Sequence, residues 1–305
     1  MTSLLALFQG QEGATHEAAQ GAPPDLERML MHHLTDGNEI EFEILGRGFT
    51  VHLPEWDPIH IGQLTLDLSP TKHTVFMLIA AALLVLVFGM VGRVMQRKYR
   101  DKAPSGFANA MEAMVLYFRD EIVRRNIGQG ADGYTSYILT LFFFVLVMNL
   151  LGLVPFGSTA TGNLSVTGAL AIVSFVVVEV TGMVKLGAAG YAKTIFYVPP
   201  GLSPAMGAVM LMIMTPVEFL GKLTKPFTLA IRLFANMVAG HTLVLSLLGM
   251  IFMFTSLTFG KWAIAGASVV MVVAFTLLEI FVAFLQAYIF AMLTSVFIGM
   301  MRHAH

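Results

Sequence analysis

The sequence predicts an all-α integral membrane protein. It has five transmembrane helices, the last two long and tilted, plus a cytoplasmic amphipathic helix and a small N-terminal extramembrane segment with some β content. Three observations predict it. First, of 305 residues 56 % are apolar and only 12 % charged, about half the roughly 25 % charge of a soluble domain, so most of the surface must face lipid. Second, the mean hydropathy of +0.76 is concentrated in runs long enough to cross a hydrocarbon core, which takes about 20 helical residues. Third, the charges are segregated. Residues 1–73 hold three basic residues against eleven acidic ones, whereas residues 92–134 hold eight basic ones. Basic residues gather at the cytoplasmic ends of spans, which places the N-terminus outside and, after five crossings, the C-terminus inside.

The elements follow in order. Met1–Phe8 is a short apolar stretch without a basic start, weak as a secretory leader. Residues 9–30, rich in Gly, Ala, Pro and Gln, read as linker. Within 38–68 apolar residues alternate (Ile40, Phe42, Ile44; Phe49, Val51, Leu53; Leu64, Leu66, Leu68), the period of short strands. We therefore expect an extracytoplasmic segment over 1–73 and a membrane domain over 74–305. Thr74 to about Met95 is the first span. In 105–126 the residues Phe107, Met111, Met114, Phe118 and Ile122 recur at steps of four and three among charges such as Arg119, Asp120, Arg124 and Arg125, the pattern of an interfacial helix. Tyr134–Pro155 and Leu164–Val184 are the second and third spans, with Lys185 and Lys193 returning the chain to the inside. Residues 204–256 and 262–301 are apolar runs much longer than one crossing, so they must tilt or carry extra length at the interface. Without an internal repeat, an inverted-repeat transporter is disfavoured.

The last two runs contain residues that lipid does not favour: Glu218, Lys222, Lys225, Arg232, Asn236, His241, Glu279 and Gln286. A charge at mid-membrane costs roughly 2.5–3.5 kcal/mol on insertion scales. Glu218, Lys222 and Lys225 fit near the cytoplasmic boundary, where long side chains reach the interface, and Glu179 fits an interfacial role. Arg232 lies 14 residues beyond Glu218, roughly 21 Å along a helix axis, near the middle. At about 100° per residue, Glu218, Lys222, Lys225, Arg232 and Asn236 share one stripe, while His241 points to the opposite side from Arg232. Glu279 and Gln286, seven apart, share a face that a hairpin of the last two helices can bring to the His241 side.

Glutamate and histidine can both exchange protons near neutral pH when their surroundings tune them; arginine cannot. A titratable pair beside a permanent cation describes a proton path with a block. The bland alternatives are an Arg232 ion pair that fixes packing, Glu279 as its counter-ion, a packed His241, and Asn236 and Gln286 as interhelical hydrogen-bond glue. With no cysteine, disulfides and thiolate chemistry are excluded. No phosphate loop, zinc-protease motif or Ser/His/Asp arrangement is present, and His32, His33, His52 and His60 are not read as a metal site. The residues imply no metal, no cofactor and no nucleic-acid partner.

The run KPFTLAIRLFANMVAGH from Lys225 to His241 resembles the signature of the subunit a family of F-type ATP synthases, bacterial type. TPVEFLGKLTKP before it, MNLLGLVPF at 148–156 and LLEIFVAFLQAYIFAML at 277–293 extend the resemblance across roughly residues 70–300. It implies a non-catalytic, proton-translocating subunit of a bacterial plasma-membrane complex. Its partners would be the c-subunit ring, the b-subunit peripheral stalk, the rest of the synthase and lipid. It implies that Arg232 is the essential arginine facing the ring carboxylates, with Asn236 and Gln286 close to it. His241 and Glu279 fall on the two relay positions of the outer half-channel, with acid and imidazole exchanged relative to better-studied members. Glu218 matches an acidic position of the exit half-channel and Asn149 the polar residue ending the second span. Gly152 stands where some members carry an acid. The competing reading is a proton-coupled secondary transporter or channel without a rotor, for which Pro216 and Pro226 interrupt only one helix.

Overall fold

The structure is a computed structural model. It describes residues 37–303 except 45–46, 62–63, 68, 101, 155–156, 158, 197–202 and 254–260. Met1–Phe8, the linker-like 9–30, His32 and His33 lie outside the described residues. The chain divides into two compact units. Of the described residues, the larger holds those within 38–237 and 280–303; the smaller holds those within 238–279, with Gly37.

The alternating N-terminal pattern forms two antiparallel hairpins. Strand β1 (Glu39–Ile44) pairs with β2 (Arg47–His52), Glu39 facing His52, and β3 (Ile59–Ile61) pairs with β4 (Leu64–Leu66). The His52 ring lies 3.2 Å from the Glu39 carboxylate across the first hairpin.

Helix α1 (Lys72–Lys98) starts at Thr71, whose hydroxyl accepts the Thr74 backbone N–H, and ends on Arg97 and Lys98, cations that suit the negative end of the helix dipole. Helix α2 (Phe107–Tyr117) passes into a π-helical segment, Phe118–Arg124, and a last α turn, Arg125–Ile127. Met111, Phe118 and Ile122 of the expected apolar stripe are buried, while Phe107 is exposed. The stripe packs on protein: the Phe118 ring lies 4.2 Å from Phe142 and 6.1 Å from Tyr288. Among the described residues, five helices are long and apolar enough to cross a membrane: α1, α3 (Asp132–Leu153), α4 (Leu164–Ile195), α5 (Pro204–Met253) and α6 (Lys261–His303). Their number and order are those expected. The third runs past Val184, because at Gly187 the backbone turns (φ 71°, ψ 165°) and helix resumes on a new axis.

Packing in lipid gains little from the hydrophobic effect between helices and depends on close approach and on hydrogen bonds. Helix α6 carries Ala283, Ala287, Ala291, Ser295 and Gly299 at steps of four, all buried, a seam of small residues on one face. At its end a Cβ on Gly299 would collide with the Asn126 carbonyl. Ser295 Oγ donates to the Ile122 carbonyl at 3.2 Å, within the π-helical segment whose altered pairing leaves that oxygen within reach. Asn149, fully buried, donates to the Ala283 carbonyl at 3.3 Å and accepts the Thr161 hydroxyl at 2.7 Å. Asn149 thus ties α3 to α6 and to the following loop.

Candidate functional site

Helix α5 carries most of the residues singled out, and it stays helical from Pro204 to Met253 through Pro216 and Pro226. In the larger unit, Arg232 and Asn236 are half-buried, one turn apart on α5, while Leu229, Leu233 and Met237 beside them are buried. Arg232 makes no hydrogen bond or ion pair with the described residues of its own unit. Gln286 on α6 is 7 % exposed. Glu218 is exposed, one turn before the buried Lys222.

The smaller unit brings His241 and Glu279 together. Glu279 Oε1 lies 3.9 Å from His241 Nε2. Glu279 is buried, and its Oε1 accepts no hydrogen bond among the described residues. What allows the approach is Gly240: a Cβ there would stand 2.6 Å from Glu279 Oε1 and 3.0 Å from Cδ. The carboxyl therefore lies flat on the α5 backbone in a space that any other residue would fill. The His–Glu pair expected from the hairpin is present.

The structure adds a partner to each of Glu179 and Lys222. Glu179 is 8 % and Lys222 6 % exposed, and they pair with each other. Lys222 Nζ donates to Glu179 Oε2 at 3.4 Å and to Thr194 Oγ1 at 3.3 Å, and sits 4.4 Å above the Tyr191 ring. The Tyr191 hydroxyl donates to the same Glu179 oxygen. Residues 179 and 191 would lie roughly 18 Å apart on a straight helix. The turn at Gly187 folds the end of α4 back so that they meet. Removing one partner of such a buried pair costs about 3–5 kcal/mol. The Gly187 conformation was the missing signal, and neither spacing nor periodicity carries it.

Gly152 has a local explanation. A Cβ there would collide with the Thr159 side chain, so an acidic residue could enter only if Thr159 moved.

Five apolar helices with an arginine, a histidine–glutamate pair and a glutamate–lysine pair among them define a multi-pass membrane protein with ionisable groups placed inside it. The chain belongs to the ATP synthase A chain family, whose model matches residues 74–299. Similar proteins include "ATP synthase subunit a" of Chloroherpeton thalassium, 45 % identical over 270 residues, covering 88 % of this chain and 75 % of that protein. The "ATP synthase subunit a" of Anaeromyxobacter dehalogenans is 44 % identical over 297 residues, 94 % of this chain and 73 % of that one. "ATP synthase subunit a 2" of Prosthecochloris aestuarii is 42 % identical over 289 residues, 95 % and 83 % of the two chains.

Proposed function

We propose that this chain is the proton-conducting stator subunit of an F-type ATP synthase in a bacterial plasma membrane, with two offset half-channels against a ring of c subunits. Family membership supports the assignment. The observation that carries the mechanism is Arg232: a half-buried guanidinium on a membrane helix that has no carboxylate partner among the described residues of its unit. A permanent cation left so in lipid is costly; a carboxylate supplied by a neighbouring ring compensates it.

Protons enter from outside past His241 and Glu279, which exchange them along the smaller unit. The proton neutralises a ring carboxylate, and the neutral site turns into lipid, where a charged one would be costly. After nearly a full turn the site reaches the exit half-channel, with Glu218 on its side, and gives up its proton. Arg232 then attracts the ionised carboxylate and keeps the two half-channels from joining. Asn236 and Gln286 supply hydrogen-bonding groups near this exchange, and Asn149 holds α3 against α6. Rotation passes to an ATP-making head elsewhere in the complex, held by the b-subunit stalk; this chain performs no chemistry on ATP. The N-terminus lies outside and the C-terminus in the cytoplasm, with α2 and its π-helical extension at the cytoplasmic face.

Ile231 and Ala235 are exposed beside Arg232, and the chain has no cysteine, so proximity to the ring is directly testable. Ala235→Cys paired with a cysteine beside the ring carboxylate should form a disulfide on oxidation, since the bond needs Cα atoms within about 7 Å. Cross-linking at lipid-exposed Val184 but not at 231 or 235 would put the ring on another face and contradict the proposal.

A further inference from the structure

The buried Glu179–Lys222 pair borders a cavity in the larger unit. Ser174, Glu179, Lys222, Lys225, Leu229 and Thr294 line it, and its volume is about 30 Å³. A water needs about 10–15 Å³ on this scale, so there is room for two, with polar groups contributed by α4, α5 and α6. The pair therefore faces a space able to hold water and is not sealed among apolar side chains. Phe297 and Met301, also on the wall, lie in the last turns of α6, five residues and one residue before Arg302. In the orientation proposed above, that is the cytoplasmic end. Leu229, also on the wall, lies three residues before Arg232 on α5. Glu218 is exposed and not on the cavity wall.

We infer that this cavity is a hydrated segment of the proton exit route, and that Glu179 is the carboxylate that takes up the proton released beside Arg232 and hands it on to cytoplasmic water. The inference rests on the rotor-wall reading. The proton leaves the ring carboxylic acid, crosses on cavity water and bonds to a Glu179 oxygen. The resulting acid gives its proton to the next water and returns to carboxylate, so no charge accumulates over a cycle. Lys222 and Tyr191 hold the carboxyl at the cavity edge. Lys225, whose ammonium lies 5.1 Å from the Phe297 ring, is the other cation on the wall. The titratable groups facing Glu179 are thus Tyr191 from its own helix and Lys222 and Lys225 from α5.

The rival is a purely structural pair that pins the end of α4 to α5. The two differ in what an apolar replacement does. A buried ion pair can often be exchanged for apolar residues of similar volume without loss of stability. Glu179→Leu with Lys222→Met would therefore preserve a pin and remove a relay. In inverted membrane vesicles carrying the assembled complex, this double variant and Glu179→Gln should each lower ATP-driven proton pumping at least about tenfold, the lower range of a lost acid–base group. Glu179→Asp should recover part of the rate. Normal pumping by the double variant overturns the inference. If the double variant does not assemble, normal pumping by Glu179→Gln overturns it just as well. A third arm needs neither variant: Ser174→Cys should react with a small water-soluble thiol reagent added from the cytoplasmic face and then pump slowly. No reaction means a dry cavity and no route. Arg232→Ala measured alongside separates the levels: if it pumps normally, the rotor-wall reading itself fails, whereas normal pumping by the Glu179 variants alone removes only this inference.

Discussion

Glu279 can lie against helix α5 only because residue 240 has no side chain. Restoring a Cβ at Gly240 pushes on the far end of the Glu279 side chain, which can swing away, so the fold should tolerate it while the 3.9 Å approach to His241 is lost. We expect Gly240→Ala to assemble normally and to pump protons about tenfold more slowly, in line with the cost of a displaced reacting group. Wild-type pumping with the variant subunit fully assembled would show that the carboxyl's position is immaterial. His241 and Glu279 were legible in the sequence because a charge in an apolar run is conspicuous and a hairpin leaves few partners for it. Glu179 and Lys222 are equally conspicuous, and taken singly each suits an interfacial position. Their pairing is a long-range fact that only the folded chain discloses.

At the scale of the element, hydropathy placed all five spanning helices in order, since a run of about 20 apolar residues has few other fates. It did not show the turn inside α4. Gly187 adopts φ 71° and ψ 165°, a region open almost solely to glycine, where another residue is strained by roughly 1–3 kcal/mol. Nothing lies within 4 Å of a Cβ at that position, so a substitution there introduces strain without a clash. Gly187→Ala should lower the midpoint of heat-induced dissociation of the purified complex, while Leu186→Ala beside it should have less effect. An unchanged midpoint would mean that the turn is easily made by other residues. The small-residue seam of α6 was readable, with Ala283, Ala287, Ala291, Ser295 and Gly299 at intervals of four, but hydropathy does not distinguish alanine from leucine strongly enough to mark it. Helix α2 shows the opposite case: its apolar periodicity gave the helix, while the π-helical pairing at Phe118–Arg124, next to contacts with α6 far away in sequence, leaves no mark on that period.

Across the whole molecule, the proposed mechanism divides the labour between groups that can exchange protons, His241 and Glu279, and one that never does, Arg232. Family membership and five apolar helices among the described residues make this a membrane subunit of the ATP synthase A chain family; the proposed partition by Arg232 would oblige protons to cross by way of the ring. The direct measurement is proton movement in inverted vesicles carrying the complex with Arg232→Ala, assembled to wild-type levels. ATP-driven pumping should be abolished while ATP hydrolysis by the head continues. Pumping at the wild-type rate would contradict it, because a partition that can be removed without effect does not separate two half-channels.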